Sequence, residues 1–557
     1  MCLLSNMAVF RGYSRPPRKP ISPSLPDHLV PHITVIRPVK GLEPQLYECL
    51  ASTFRQTYPR SKLTVNLCVS SEDDPAYPVL EKIVDDFGSS SNGGRGKGYD
   101  VRLLVEEYDP LISGLDGNEL GPNPKIRNIS RAYREAPADS LIWVMDCNVW
   151  IPRDVAGRMV DKLLGLLPGG KTTTPYKLVH QLPLVVDIND DKNKNDPTTS
   201  SSLLLSRAWR TGGGRLDEMF MATTHAKFYS AINTVGVAPC VIGKSNMFRK
   251  AHLDTYTQPA HNPGLAPSDA ARGTGVDFFS SYICEDHLIS DLLWNAPIPP
   301  DTTTATTTTT KPQPPRPFGN HALVPGDLAI QPVSAVPVPA YWARRVRWLR
   351  VRKWTVLLAT LVEPGVESLL CNLYFAYAAT TLPRFATNLG IPQTWGATAA
   401  LWAAGVGIWM GCDRAVHARL HSCACVDEDA DTPFFARGAG HARSLAEWVP
   451  AWLGRELLAL PIWTWAVLLG TTVTWRGKSF RVRSDMSVVS LDGERGGGGG
   501  GDGAAAGAAN EGKDWAAREQ QNGGAGGARA GPQHQDVPRW EGRPTATHRK
   551  SRSYNKE

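Results

Sequence analysis

His32-Ile33-Thr34-Val35-Ile36, then Glu43 to Phe54 with Leu46, Leu50 and Phe54 at helical spacing, then Leu63-Thr64-Val65-Asn66-Leu67-Cys68-Val69: this strand–helix–strand run decides the fold. The pattern repeats downstream. Tyr77 to Phe87 carries Val79, Leu80, Ile83, Val84 and Phe87 on a helical period, and Val101-Arg102-Leu103-Leu104-Val105 reads as a third strand. Ile126 to Tyr133 is helical, and Leu141-Ile142-Trp143-Val144-Met145 is a buried strand that ends at Asp146. Val155 to Leu167 reads as a helix and Lys177 to Val186 as a strand. Strands alternating with helices give a parallel sheet covered on both faces, an α/β fold. Ligands of such sheets sit beyond the carboxyl ends of the strands.

The 557 residues hold more than one kind of segment: hydrophobic residues make up 42% of the whole, but they concentrate between about Trp354 and Val473. The net charge of +7 is small and scattered, which excludes the concentrated basic face of a nucleic-acid binder. One local cluster stands out, Arg344, Arg345, Arg347, Arg350, Arg352 and Lys353, directly before an apolar run. Basic residues at such a border mark the cytosolic side of a membrane segment. The ten cysteines have no pairing rhythm, and several lie in apolar runs, as expected of reduced thiols. Cys423-Ala424-Cys425 lacks the ligand spacing of a structural zinc site. A cytosol-facing domain also leaves the sequon Asn128-Ile129-Ser130 unglycosylated.

Loop insertions are expected near 189–202, 258–274 and 302–317, and residues 484–557 read as a disordered Gly-rich tail. Three apolar runs follow the basic cluster. Trp354 to Leu382 is interrupted by Glu363, Pro364, Gly365 and Glu367; Ile391 to Cys412 has no charge and is the best candidate span; Leu457 to Val473 is shorter.

Three acidic points lie at strand ends or after aromatic runs: Ser71-Glu72-Asp73-Asp74-Pro75, Asp146-Cys147-Asn148 and Tyr282-Ile283-Cys284-Glu285-Asp286-His287. An aspartate there is commonly a cap or turn residue. Three in this order suit nucleotide-sugar transfer. The leaving group is a diphosphate, whose charge a divalent cation such as Mg2+ or Mn2+ neutralises when carboxylates hold it. A separate carboxylate must take the proton of the acceptor hydroxyl, and another acid serves the nucleotide. Arg344-Arg345-Val346-Arg347-Trp348 adds guanidiniums for the departing phosphates and an indole for the cavity wall.

The ordered set resembles the ceramide glucosyltransferase family, membrane-bound inverting transferases with a GT-A-like fold, over roughly Ile33 to Arg483 outside the insertions. The opening strand and turn look like Val35-Ile36-Arg37-Pro38-Val39-Lys40-Gly41. The family's three aspartate motifs fall on Asp74, Asp146 and Asp286, and its (Gln/Arg)-x-x-Arg-Trp motif on Arg344, Arg347 and Trp348. Asn123-Pro124-Lys125, Leu178-Val179-His180, Thr224-His225, Gly243-Lys244-Ser245-Asn246-Met247 and Thr474-Trp475-Arg476 are similar to further family segments.

The resemblance implies transfer of glucose from UDP-glucose to the primary hydroxyl of ceramide, with a β-linked product. Asp286 would be the general base, and Asp74 the nucleotide contact, with Asp73 as its alternative. Asp146 would hold the metal or the diphosphate. Lys125, His225, Arg344, Arg347 and Trp348 would bind the substrates, and Glu285 is a second candidate for the base. The implied organisation is a GT-A-like domain over 31–340, a basic interfacial segment over 341–353 and a membrane domain of transmembrane or interfacial helices over 354–483. The implied site is a Golgi or endoplasmic-reticulum membrane with the catalytic domain in the cytosol. Residues 1–30 pass from Met7-Ala8-Val9-Phe10 to Arg11 and prolines, so they are expected to be a truncated membrane anchor. A related transferase using a polyprenyl phosphate or a polysaccharide acceptor would share the same residues, and a non-catalytic membrane scaffold is the remaining reading.

Overall fold

Strands β1 (Ile33–Pro38) and β2 (Leu63–Val69) are buried at every position, which is why their sequences lack the polar alternation of a half-exposed strand. With β3 (Asp100–Val105), β4 (Leu141–Met145), β5 (Tyr176–Asp187), β6 (Ser245–Arg249) and β7 (Gly319–Val333) they form a seven-stranded sheet of order β3-β2-β1-β4-β6-β5-β7. Strands β3, β2, β1 and β4 run parallel, β6 runs antiparallel to both β4 and β5, and β7 runs parallel to β5. The fold is α/β with a mostly parallel sheet. It comes from a computed structural model that describes residues 2–88, 98–113, 120–189, 201–297, 318–363, 367–438 and 443–491.

Two helices cover the sheet with the apolar faces that their spacing foretells. Val155–Leu164 places Val155, Met159, Val160 and Leu163 against one face of the sheet, with Val35, Leu67 and Trp143. Pro124–Arg134 places Ile126 and Ile129 against the other face, with Ile36, Ile142 and Phe248. The first of these helices stops at Gly165, three residues short of the sequence expectation. That residue has φ 72°, and a Cβ on it would lie 2.3 Å from the Thr173 carbonyl oxygen. Strand β1 also carries a fully buried arginine. Arg37 donates to the carbonyls of Cys49 (3.1 Å), Cys147 (3.0 Å) and Val149 (2.9 Å), and so pins the turn that follows Asp146.

Beyond β7 the chain is helical until a second sheet, β8 (Thr472–Trp475), β9 (Lys478–Val482) and β10 (Val488–Ser490), in the order β10-β9-β8. Strand β10 lies within the stretch expected to be tail; residues 492–557 lie outside the described residues. So do residues 190–200 of the insertion expected at 189–202, whose last two residues begin the helix Ser201–Thr211, and the insertion at 302–317. The segment 258–274 is described, and it contains the short helix Pro267–Arg272, with the Arg272 guanidinium 3.7 Å from the centre of the Phe278 ring. The amino terminus forms the helix Cys2–Tyr13, whose Val9 and Tyr13 are buried where it packs against β7 and the helices Ala226–Val235 and Trp395–His421.

The expected membrane spans need correction: among the described residues, no helix is long and apolar enough to cross a membrane. The run 354–382 divides into Leu357–Val362 and Ser368–Thr381, and the latter has only 14 residues. The run 391–412 falls in Trp395–His421, a helix of 27 residues whose apolar content is largely alanine and glycine, so its hydropathy is diluted. The run 457–473 continues Leu445–Trp463, which carries Pro450 and Pro461 inside it. These helices nevertheless leave large apolar side chains exposed, among them Leu358, Tyr374, Trp395, Ile408 and Leu457.

Trp143 is the largest side chain buried in the sheet, and its indole Nε1 donates to Ser245 Oγ at 2.9 Å, tying β4 to β6. Trp143→Ala is expected to lower stability by about 3–5 kcal/mol, as large buried aromatics do on truncation. A denaturant titration of the variant against the parent chain measures it.

Candidate active site

Three loops meet beyond the carboxyl end of β4, and an asparagine joins two of them. Asn123 caps the helix Pro124–Arg134, its Oδ1 accepting from the amides of Lys125 (2.8 Å) and Ile126 (3.1 Å). Its Nδ2 donates to Glu285 Oε2 at 3.1 Å and to the Tyr282 carbonyl. The same bonds therefore fix the first turn that carries Lys125 and the first turn of the helix Glu285–Asn295 that carries Asp286.

Lys125 is buried, and its ammonium lies 3.2 Å from Asp146 Oδ1, 3.3 Å from Glu285 Oε1 and 3.3 Å from the Gly243 carbonyl, to which it donates. Lys244 donates to the other Asp146 oxygen, Oδ2, at 2.9 Å. Gly243 leaves room for this gathering. A methyl group there would lie 3.0 Å from Lys125 Nζ and 3.1 Å from Asp286 Oδ2, so Asp286 stands beside the ammonium. Asp286 is half-buried, and among the described residues its carboxylate accepts no hydrogen bond from the protein. Burial alone would raise the pKa of Asp146, but Lys125 and Lys244 hold it well below the usual carboxylate range. Burial raises Glu285, against the pull of Lys125.

The helix Val338–Arg352 borders this cluster. Burial lowers the Arg347 guanidinium to about 10, and the groups it senses include the carboxylates of Glu285 and Asp146. Its guanidinium also lies 5.3 Å from the centre of the Trp475 ring. Arg344 is engaged elsewhere: it donates to Asp217 Oδ2 at 2.6 Å and lies over Trp348 at 4.8 Å. Trp348 adjoins Phe220, their centroids 6.4 Å apart, and Phe220 in turn adjoins His225 at 5.9 Å. His225 ends the π-helical turn Met221–His225 and stacks on Tyr229 at 5.1 Å. Burial pushes it down to about 3, so it is a neutral ring. The Tyr229 hydroxyl lies 2.6 Å from His180 Nδ1, and Asp286 is among the charges that act on it. Trp348, Phe220, His225 and Tyr229 thus form one aromatic run.

Asp74 occupies a different part of the same sheet edge. It follows β2, two strands from β4, or roughly 10 Å at the usual strand spacing. Its Oδ1 accepts from the amides of Gly41 (2.8 Å) and Ala76 (3.0 Å), and Lys40 Nζ lies 3.3 Å from Oδ2. The aspartate so joins the turns that follow β1 and β2. Asp73 is exposed, and its backbone amide donates to the Ser71 hydroxyl at 3.2 Å.

The small sheet closes the flank. The Val488 amide donates to the Ser281 carbonyl at 2.9 Å, Tyr282 and Ser487 form an antiparallel bridge, and Arg476 Nη1 reaches the Pro124 carbonyl at 3.5 Å. Lys244 and Tyr229 have no assigned role in the sequence reading. The position of Lys244, one residue before a short strand with a polar start, was the available signal; nothing local marks Tyr229.

The sequence is similar to proteins of known family. The profile of glycosyl transferase family 21 matches residues 2–189 and 318–488. A ceramide glucosyltransferase of Pyricularia oryzae is 57% identical over 488 residues, 87% of this chain and 90% of that one. A ceramide glucosyltransferase of Gibberella zeae is 45% identical over 506 residues, again 87% of this chain and 90% of that one. Among solved structures, a mannosyltransferase of Pyrobaculum calidifontis in complex with GDP-Man and Mn2+ aligns with 77% of this chain and 95% of its own, at 15% identity and a TM-score of 0.34.

The paired carboxylate sets a pH dependence. A depressed folded-state pKa at Asp146 contributes stability that is complete above the unfolded value near ~4 and is lost as the pH falls below it. Lys244→Met leaves that carboxylate buried with one ammonium and raises its pKa. The acid limb of unfolding is expected to begin at higher pH in the variant, followed by circular dichroism across an acid titration. An unshifted limb would mean that Lys244 does not hold the charge on Asp146.

Proposed function

This chain belongs to glycosyl transferase family 21, and from that premise we propose that it moves glucose from UDP-glucose to the primary hydroxyl of ceramide with inversion, forming β-glucosylceramide. The carrying observation is an open carboxylate, Asp286, beside a buried ammonium, Lys125, at the carboxyl end of β4. Asp286 takes the proton of the ceramide hydroxyl as its oxygen attacks the anomeric carbon from the face opposite the diphosphate. The bond from that carbon to the diphosphate oxygen breaks, and the nucleotide leaves with the electron pair. Arg347, Lys125 and Lys244 supply positive charge where the leaving group gains negative charge.

Asp74 is assigned to the nucleotide from its place in the family motif, at the turns after β1 and β2 that its Oδ1 joins, with its Oδ2 held by Lys40 at 3.3 Å. Trp348 and His225 line the acceptor side. Arg344 acts by position: its bond to Asp217 fixes the helix on which Arg347 sits. Both Asp146 oxygens pair with ammonium groups, so Asp146 would hold a divalent ion only by exchanging Lys125 or Lys244 for it, with the diphosphate supplying some of the other ligands. When bound, Mg2+ or Mn2+ there neutralises charge on the departing diphosphate.

The exposed apolar side chains of the 354–469 helices, next to the basic residues Arg350, Arg352 and Lys353, support seating in a membrane interface. We assign this seat to the cytosolic face of the Golgi or endoplasmic reticulum, where a lipid acceptor enters from the bilayer.

Membranes containing the chain, given labelled UDP-glucose and ceramide, are expected to form labelled glucosylceramide. Asp286→Ala is expected to lower turnover by about 100-fold or more, the usual share of a general base, while UDP still binds. Near-normal turnover would place the base elsewhere. Product on a polyprenyl phosphate and none on ceramide would replace the acceptor. Chelation of divalent ions is expected to suppress transfer, with recovery on adding Mg2+ or Mn2+.

A further inference from the structure

A second polar cluster is buried between the sheet and the long carboxyl-terminal helix, and it shares no side chain with the site around Lys125. Its members are Glu218 on the helix Gly213–Phe220 and His417 and His421 on Trp395–His421, all buried. One turn of helix separates the two histidines, and their rings stack with centroids 4.0 Å apart. His417 Nε2 lies 3.5 Å from Glu218 Oε1, and His421 Nε2 lies 3.9 Å from Glu218 Oε2.

The hydrogen bonding around these rings does not balance. His421 Nδ1 lies 3.1 Å from the His417 carbonyl oxygen, and its Nε2 lies 3.3 Å from the Val185 carbonyl oxygen. Both ring nitrogens thus face oxygen acceptors, yet a neutral imidazole has a single N–H. His417 Nε2 is buried and has no hydrogen-bond partner. In a neutral His421 one ring nitrogen thus keeps its lone pair against a carbonyl oxygen, while His417 Nε2 stands 3.5 Å from Glu218 Oε1.

We infer that Glu218, His417 and His421 form a binding site for a divalent transition-metal ion, zinc above all. Two imidazoles and one carboxylate are a ligand set that zinc takes, with a fourth position left for water. The three ligand atoms lie within 4.8 Å of one another. A contraction on the order of 1 Å brings them to the distances of a common zinc ion. Glu218 is already oriented for this. Arg443 donates to it through Nε (3.0 Å) and Nη2 (2.8 Å), and the Asp187 amide donates at 2.8 Å. Outer hydrogen bonds of this kind fix a ligating carboxylate.

The remaining charges that face the cluster are Asp187 and Arg215, which pair at 3.2 Å. Two guanidiniums balance the two carboxylates before any ion enters, so the ion's own charge is uncompensated. The site therefore gives up its metal to a strong chelator. Its role is mechanical: it fastens the helix Trp395–His421 to the helix Gly213–Phe220.

The full-length chain, purified in detergent without chelators, is expected to contain about one zinc per molecule by elemental analysis, the stoichiometry of a single site. Chelation should remove it and lower the melting temperature, and added Zn2+ should restore both. Co2+ in its place should give the visible absorption of a low-coordinate site. His417→Asn with His421→Asn should abolish the metal and the absorption together. If the doubly substituted chain does not fold, the chelation and Co2+ measurements on the parent chain decide alone. A parent chain with no bound metal and no thermal response to Zn2+ overturns the inference. So does zinc retained in full by the folded double variant.

Discussion

One buried ammonium holds the candidate active site together. Lys125 lies within 3.3 Å of Asp146, Glu285 and the Gly243 carbonyl, with Asp286 at its side. These residues arrive from four separate stretches of chain, and three of them bring negative charge. Without a central cation the carboxylates would repel one another in a region where charge is poorly solvated. The ammonium is itself buried and would be costly alone. Cation and anions are each other's solvation, which makes the arrangement specific as well as stable.

The sheet supplies the frame on which that balance is set. Its parallel strands end on one edge, so the turns after β1, β2 and β4 gather there, and Arg37 reaches beneath the turn at Cys147 to brace it. The antiparallel strand β6 enters between β4 and β5 and delivers Gly243 and Lys244 from the opposite direction. A purely parallel sheet would have placed those two residues' neighbours at the wrong edge. The helix Val338–Arg352 then adds Arg347 from outside the sheet.

Much of the frame could be read from the amino acids because burial on both faces leaves an unambiguous trace. The strands at 63–69 and 141–145 and the helix at 77–87 coincide with their sequence expectations. Strand β6 left no such trace: it is five residues long and begins Ser245-Asn246. Strand β7 contains Pro325 and Gly326, which ordinarily argue against a strand. The acidic positions were visible as residues, but their convergence depends on Asn123 and Gly243, whose contribution is a contact and a space. The apolar carboxyl-terminal runs were overread, because alanine, glycine and internal prolines reduce the hydropathy that their length suggests. The histidine pair at 417 and 421 was legible as a helical spacing. Its partner Glu218 lies about 200 residues earlier, and only the fold makes them neighbours.

The hydrogen bond from Val488 to Ser281 has a consequence for biosynthesis. Ribosomes release a chain from its amino end, so the loop that leads into Asp286 emerges about two hundred residues before the strand that fastens it. Until β10 docks, the acidic helix lacks its outer brace, however complete the sheet behind it. A nascent or prematurely terminated polypeptide ending before that strand would possess the framework and still hold Asp286 loosely. Translation to the end of the small sheet thus acts as a checkpoint on catalytic competence.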